Sequence, residues 1–153
     1  MKLNYFIIPL VVILTAFLGG QATGRGMAWY KGLKAPEIAP PGYLFGVVWT
    51  ILFVLMAVAV LLFWNRPAPD GNFNIIVGLL ILNAVLNILW CVLFFGWHRP
   101  LAAFIEIFFL NAVNLALIVL FWSSNLWPAI LFIPYFLWVS FAAYLNYAYW
   151  RLN

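Results

Sequence analysis

Charged residues are scarce in this chain. They make up 7% of its 153 residues, whereas 69% are hydrophobic. A soluble domain of this length could not bury so much apolar surface, so the composition excludes a water-soluble globular protein. The seven basic residues are dispersed over several predicted loops, which argues against a nucleic-acid-binding surface. We therefore expect an integral membrane protein with no nucleic-acid partner.

Cysteine and histidine are also scarce, since the chain has one of each, Cys91 and His98. A lone cysteine excludes a disulfide framework, and a single histidine excludes a histidine-based metal cluster. The apolar segments hold no serine–histidine–acid set, and the chain has no glycine-rich phosphate loop. The sequence thus predicts no metal, no cofactor and no conventional catalytic centre.

Long apolar runs fill most of the chain. There are five, at residues 3–24, 43–64, 73–97, 101–122 and 126–150. Each is at least the roughly 20 residues that a helix needs to cross the hydrocarbon core. The runs lack strict alternation, and lipid-exposed backbone must satisfy its own hydrogen bonds, so they are predicted as helices. The prediction is an all-α membrane protein, a five-transmembrane-helix bundle that forms a single integral membrane domain over residues 1–153.

The basic residues predict the orientation of the bundle. With five spans, the first loop, the third loop and the C-terminus share one side, which carries Arg25, Lys31, Lys34, Arg99 and Arg151. The other side carries only Lys2 and Arg66. Because basic residues favour the cytoplasmic side, we expect the N-terminus outside and the C-terminus in the cytoplasm, in a bacterial cell membrane.

The predicted first loop, residues 25–41, is longer than the others. Three prolines prevent a continuous helix there, namely Pro36, Pro40 and Pro41. Three apolar residues favour folding of the loop back on the bundle, namely Trp29, Tyr30 and Leu33. Two interpretations are open. The loop is either a lid over whatever the helices enclose or an interfacial anchor, since tryptophan and tyrosine prefer that zone.

Aromatic residues form 20% of the chain, and three of the nine tryptophans lie inside the apolar runs. From the helical rise, Trp49 and Trp90 lie about 9 Å and 10 Å from the ends of their helices, and Trp138 about 18 Å. These ends share the side of the first loop. The three indoles are therefore predicted in, or at the edge of, the membrane half beneath that loop.

Polar residues are predicted at a depth in the membrane similar to that of the three indoles. Asn83 and Asn87 are four apart and share a helix face with Trp90. Asparagines in membrane helices either join neighbouring helices or contact a ligand, and for Asn87 both interpretations are open. Glu106 is either a functional carboxyl or a structural one that reaches Arg99, His98 or interfacial water. An aromatic cavity with one or two amides suits a large, flat, mostly apolar ligand.

Several ordered motifs resemble those of the translocator protein family, the TspO or tryptophan-rich sensory proteins, also called peripheral-type benzodiazepine receptors. The motifs cover about 125 residues: Trp29-Tyr30-x-Gly32-Leu33-x-x-Pro36-x-x-x-Pro40-Pro41, Gly46-x-x-Trp49, Asn87-x-x-Trp90-x-x-x-Phe94-Phe95-Gly96, and Pro134-Tyr135-x-x-Trp138-x-x-Phe141-Ala142-x-x-Leu145-Asn146-Tyr147-x-x-Trp150-Arg151. The chain departs from the family at Glu37-Ile38, where Ser-Trp is frequent, at Val47 and at Phe53.

The resemblance implies a homodimer whose pocket, closed by the first loop, binds porphyrins, sterols and isoquinoline or benzodiazepine compounds. A receptor or transport role follows from it. The ligand-binding residues implied are Trp29, Tyr30, Trp49, Phe53, Asn87, Trp90, Phe94, Trp138 and Ala142.

Two further expectations follow from the resemblance. One is an enzyme-like alternative, light-dependent degradation of protoporphyrin, in which Trp49 and Trp138 would be the catalytic residues. The other is sterol contact, because Leu145, Tyr147 and Arg151 fit a proposed cholesterol motif.

Overall fold

The structure is a computed structural model that describes residues 2–66 and 71–153, and these residues form a bundle of five helices. The helices are α1 (Asn4–Lys31), α2 (Gly42–Trp64), α3 (Phe73–Cys91), α4 (Pro100–Ser124) and α5 (Leu126–Leu152), with α3 continued by a π-helical segment, Val92–Gly96. Within the described residues, five helices are long and apolar enough to cross a membrane. The predicted all-α, five-helix membrane fold is confirmed.

The first helix is longer than predicted. It runs to Lys31, so the predicted end at residue 24 is wrong, and Trp29 and Tyr30 lie in its last turn rather than in a loop. The physical reason is that no proline occurs between Gly24 and Pro36. The helix ends at Gly32, whose N–H donates to the carbonyl of Trp29 at 2.9 Å.

The connection between α3 and α4 is tight. In the π-helical segment the N–H of Trp97 donates to the carbonyl of Val92 at 2.7 Å, five residues back. His98 then adopts a positive φ of 56°, which turns the chain. Pro100 begins α4, where its missing N–H costs no helical hydrogen bond. The π-helical segment also contacts the first helix.

The helices form a closed ring in the order α1, α2, α5, α4, α3, because each contacts the next around this circuit. The largest fully buried side chains include Phe63, Phe121, Phe132 and Tyr135. Three of these, Phe63, Phe121 and Phe132, connect α2, α4 and α5 through ring contacts of 5.3 and 5.4 Å. They fill the half of the bundle away from the first loop.

Glycines bring α1 close to α3. A Cβ added at Gly26 would lie 2.7 Å from the carbonyl carbon and 2.8 Å from the Cα of Phe95, and one at Gly19 would lie 3.0 Å from the Sγ of Cys91. In lipid, helix association depends on such close packing because no hydrophobic effect drives it. These two glycines therefore permit the contact between α1 and α3.

Asparagines join α3, α4 and α5. The amide of Asn83 donates to Asn114 at 2.6 Å, Asn114 donates to Asn111 at 3.3 Å, and Asn111 donates to Ser140 at 2.9 Å. These contacts support the interpretation that Asn83, Asn111 and Asn114 join neighbouring helices.

Candidate ligand cavity

A cavity of about 580 Å³ lies in the half of the bundle nearest the loop between α1 and α2. Its walls come from four elements, α1, α2, the α3 helix with its π-helical extension, and α5. Ligand sites in proteins typically enclose about 300–1,000 Å³. The cavity is therefore large enough for a small molecule of several fused rings.

Aromatic rings form one wall. The ring centroids of Trp49 and Trp90 are 6.0 Å apart, and Trp49 also lies 5.7 Å from Phe53 and 6.1 Å from Tyr135. Trp90 in turn stacks on Phe94, with an angle of 19° between the ring planes. Such a surface favours a flat aromatic ligand, which can stack against it.

The loop end of the cavity is closed by two tyrosines and a stacked pair. The hydroxyls of Tyr30 and Tyr149 form a hydrogen bond of 2.8 Å across α1 and α5. Beside them, Trp29 stacks on His98 with centroids 4.3 Å apart, and its other edge meets Phe94 at 5.7 Å. Trp29 thus supports the cavity end without lining it.

The connecting segment, residues 32–41, does not line the cavity. It packs on the bundle through Leu33 and Ala39. The side chain of Asn153 accepts from the backbone N–H of Lys34 at 2.9 Å and donates to its carbonyl at 3.2 Å. The segment is therefore attached to the C-terminal end of α5, and both the lid and the anchor interpretations stay predictions.

The cavity has few polar groups. Asn87 lines it, and its Nδ2 donates to the Tyr135 hydroxyl at 2.8 Å, so one side chain both joins α3 to α5 and faces the cavity. Asn146 also lines it, is only 2% exposed, and has no hydrogen-bond partner at Nδ2 within the described residues. The indole nitrogen of Trp90 is buried and unpartnered as well. Unpartnered N–H donors favour a ligand that carries hydrogen-bond acceptors.

The structure brings most of the predicted ligand-binding residues together. Those that line the cavity are Tyr30, Trp49, Phe53, Asn87, Trp90, Phe94 and Ala142. Trp29 and Trp138 do not line it. Trp138 contacts Phe45, whose ring does line the cavity, with centroids 5.7 Å apart, and packs on Phe141 at 5.5 Å. The two tryptophans predicted as catalytic therefore occupy different positions, one on the cavity surface and one behind it.

The predicted sterol-motif residues do not share a helix face. Leu145 is 4% exposed and lines the cavity, whereas Tyr147 is 41% exposed and packs on Phe104 and Trp150. Arg151 is exposed. A sterol that touched Tyr147 and Arg151 would therefore lie on the outer surface of α5, separate from the cavity.

Glu106 is buried in α4, at 6% exposure, and does not line the cavity. Neither carboxyl oxygen has a hydrogen-bond partner among the described residues. The expected contacts of this carboxyl with Arg99 or His98 are therefore not formed, and its role remains a prediction.

Sequence reasoning missed the contribution of α1. This helix lines the cavity with mostly small residues, Thr15, Ala16, Gly19, Gly20, Thr23 and Gly24, together with Met27. The available signal was the spacing of the glycines. Gly20 and Gly24 have the four-residue spacing typical of a contact between helices, but both are exposed and line the cavity.

Comparison with known proteins gives consistent matches over nearly the whole chain. The model of the TspO/MBR family matches residues 7–151. The chain is 34% identical over 151 residues to the tryptophan-rich protein TspO of Archaeoglobus fulgidus, covering 94% of this chain and 93% of that protein.

Two further relatives extend this similarity across distant organisms. Protein CrtK of Rhodobacter capsulatus is 32% identical over 153 residues, which is 100% of this chain and 95% of the relative. The translocator protein of Sus scrofa is 31% identical over 146 residues, covering 94% and 86% of the two chains.

Proposed function

The chain belongs to the TspO/MBR family and is an integral, multi-pass membrane protein; from that premise we propose that it is a receptor or transport protein for porphyrins. In this proposal a porphyrin, or another flat ligand such as a sterol-like, isoquinoline or benzodiazepine compound, occupies the aromatic cavity. The names of its relatives, which include a translocator protein and a tryptophan-rich protein, agree with a binding or transport role.

One observation carries the proposal: a cavity of about 580 Å³ has two indoles on its wall, 6.0 Å apart. Apolar rings exclude water from such a site, and a flat ligand can stack on them. The amides of Asn87 and Asn146 at the same cavity can orient the polar substituents of such a ligand. No charged side chain lines the cavity among the described residues.

A fluorescence titration tests the proposal. Protoporphyrin added to the purified protein in detergent is expected to quench tryptophan emission saturably. Trp49→Ala, on the cavity wall, should weaken the affinity for protoporphyrin, while the matched substitution Trp64→Ala, at the far end of α2, should leave the affinity unchanged. A protein that serves only as a scaffold would show no saturable quenching, and that result would end the proposal.

The second candidate function is light-dependent degradation of protoporphyrin. The proximity of Trp49 and Trp90 favours it, because an indole that stacks on a porphyrin is also positioned to exchange an electron with it. Illuminating the protein with protoporphyrin and recording absorption distinguishes the two functions. A new absorbing product that is lost in Trp49→Phe, despite retained binding, would support degradation; an unchanged spectrum supports binding alone.

Orientation and assembly are also proposals. We propose from the distribution of basic residues that the first loop and the C-terminus face the cytoplasm of a bacterial cell. The family resemblance supports a homodimer. Light scattering of the detergent-solubilised protein should give twice the protein mass of 17.5 kDa, and a monomer at all concentrations would contradict the dimer.

A further inference from the structure

The two glycine pairs that border the cavity differ from the glycines that mediate helix packing. Gly20 and Gly24 on α1, and Gly42 and Gly46 on α2, are all exposed and all line the cavity. A Cβ added at any of the four would meet no atom within 4 Å. Close packing therefore does not require glycine at these four positions, in contrast to Gly26.

The spacing within each pair is four residues, which keeps both members on one face of the helix. Glycine inside a helix costs up to about 1 kcal/mol relative to alanine, so Gly20, Gly24 and Gly46, which lie within their helices, oppose helix stability. The shared effect of the four glycines is to leave the cavity wall without side chains at these four positions of α1 and α2. The walls from α2, α3 and α5 elsewhere carry large rings, including Trp49, Trp90 and Tyr149.

The end of the cavity near the connecting segment is closed more firmly. Tyr30 and Tyr149 are hydrogen bonded across it at 2.8 Å. Behind them, the connecting segment is attached to Asn153 through both backbone groups of Lys34. A ligand arriving from water at this end would have to break these contacts, whereas the glycine-bordered side requires no bond to be broken.

A buried group inside the cavity points to a ligand that binds there. The side chain of Asn146 lines the cavity, is 2% exposed, and has an unpartnered Nδ2. An unpaired amide nitrogen in an apolar site costs free energy unless a ligand supplies an acceptor. This observation is independent of the glycines.

We propose that the gap between α1 and α2, bordered by Gly20, Gly24, Gly42 and Gly46, is a lateral portal through which an apolar ligand dissolved in the bilayer enters and leaves the cavity. This inference rests on the proposed binding function. A flat ligand passes edge-on between the two helices, because no side chain projects from the four glycines into the gap. The ligand reaches the cavity without crossing the aqueous phase.

The test uses protein in lipid nanodiscs, with protoporphyrin as the probe and tryptophan quenching as the signal. Gly24→Leu and Gly46→Leu place a branched side chain in the gap, and the open space around each glycine allows both variants to fold. Gly78→Leu is the matched control, since Gly78 lies in the α3 helix, has equally open surroundings and does not line the cavity. Stopped-flow mixing gives the association and dissociation rates, and their ratio gives Kd.

A portal predicts that the Leu substitutions slow association and dissociation together. A leucine that must leave its preferred rotamer while the ligand passes slows each rate about tenfold. Kd should change by less than about threefold, because the barrier rather than the bound state is altered. Gly78→Leu should match the wild type in both rates.

Entry by the other end is tested with Asn153→Ala, which releases the connecting segment from α5. The portal predicts no change in association rate for this variant, and faster association would assign entry to the segment and overturn the proposal. The proposal is also overturned if Gly24→Leu and Gly46→Leu have the same association and dissociation rates as Gly78→Leu. It is overturned as well if these two variants bind more weakly at an unchanged association rate. If the wild type itself shows no saturable quenching, the proposed function fails instead, so the two failures are distinguishable.

Discussion

Gly26 is the residue at which a single methyl group has the most clearly defined consequence. A Cβ there would overlap the carbonyl oxygen of Phe95 and approach its carbonyl carbon and Cα to 2.7 and 2.8 Å. All three atoms belong to the backbone of the π-helical segment, which cannot rotate away as a side chain could. The Gly26→Ala substitution must therefore displace α1 from that segment.

The magnitude follows from two opposing effects. Overpacking of this kind costs up to about 3 kcal/mol. Replacing glycine by alanine within a helix stabilises it by about 1 kcal/mol. The net loss is about 2 kcal/mol, which lowers the Tm of a chain of this size by about 6 °C.

Two further glycines calibrate the measurement. At Gly19 the added Cβ would meet the Sγ of Cys91 at 3.0 Å, a side-chain atom that can give way, so Gly19→Ala should be close to neutral. At Gly78 it would meet nothing within 4 Å, so Gly78→Ala should raise the stability by up to about 1 kcal/mol.

Circular dichroism during thermal unfolding in one detergent gives all three midpoints. The expected order of stability is Gly78→Ala, then Gly19→Ala, then Gly26→Ala. If Gly26→Ala unfolds at or above the temperature of Gly78→Ala, α1 does not contact the π-helical segment as described, and the reasoning is refuted.

Three other predictions concern binding, packing and orientation. Trp49→Ala removes a ring from the cavity wall and should weaken protoporphyrin binding by about 2 kcal/mol, or roughly thirtyfold. Trp138→Ala removes a ring that lies behind Phe45 and should weaken binding less. Fluorescence titration measures both affinities, and equal losses would contradict the assigned positions. Asn114→Leu removes the hydrogen bond from Asn83 and the one to Asn111, and should destabilise the bundle by about 1 kcal/mol. It should have no direct effect on affinity, since this side chain does not line the cavity. Thermal unfolding in detergent and a ligand titration measure the two quantities, and unchanged stability would count against the hydrogen-bond network. A reporter fused after Asn153 should be active only if it reads out in the cytoplasm, and a signal from the opposite side would reverse the orientation.

The parts of this protein that were predictable from its sequence are those that depend on local properties. A run such as residues 43–64 crosses a membrane because its own length and apolarity match the bilayer, whatever its neighbours are. The run predicted at residues 101–122 likewise corresponds to a helix, α4, which begins one residue earlier at Pro100. The end of α1 was predicted seven residues early, because the loss of apolarity after Gly24 resembles a membrane boundary although the helix continues to Lys31.

The composition of the cavity could be predicted only in part. Trp49 and Trp90 share the inner side of the bundle, as their depth and their polar neighbours indicated. Trp138 is a third interior indole, predicted deeper in its helix than the other two, and its position on α5 brings it against Phe45 rather than onto the cavity surface. Depth follows from position along one helix, but the face that borders a cavity depends on how five helices pack.

The glycines make the same distinction most clearly. From the sequence alone, Gly19, Gly20, Gly24 and Gly26 are four small residues in one apolar helix. The tertiary structure separates them, because Gly19 and Gly26 meet atoms of the α3 segment while Gly20 and Gly24 border an open space. Apolarity and helix length are properties of the chain itself, and so the sequence determined a five-helix membrane protein. Which surfaces touch and which enclose space is a property of pairs of helices, and only the packed bundle decided it.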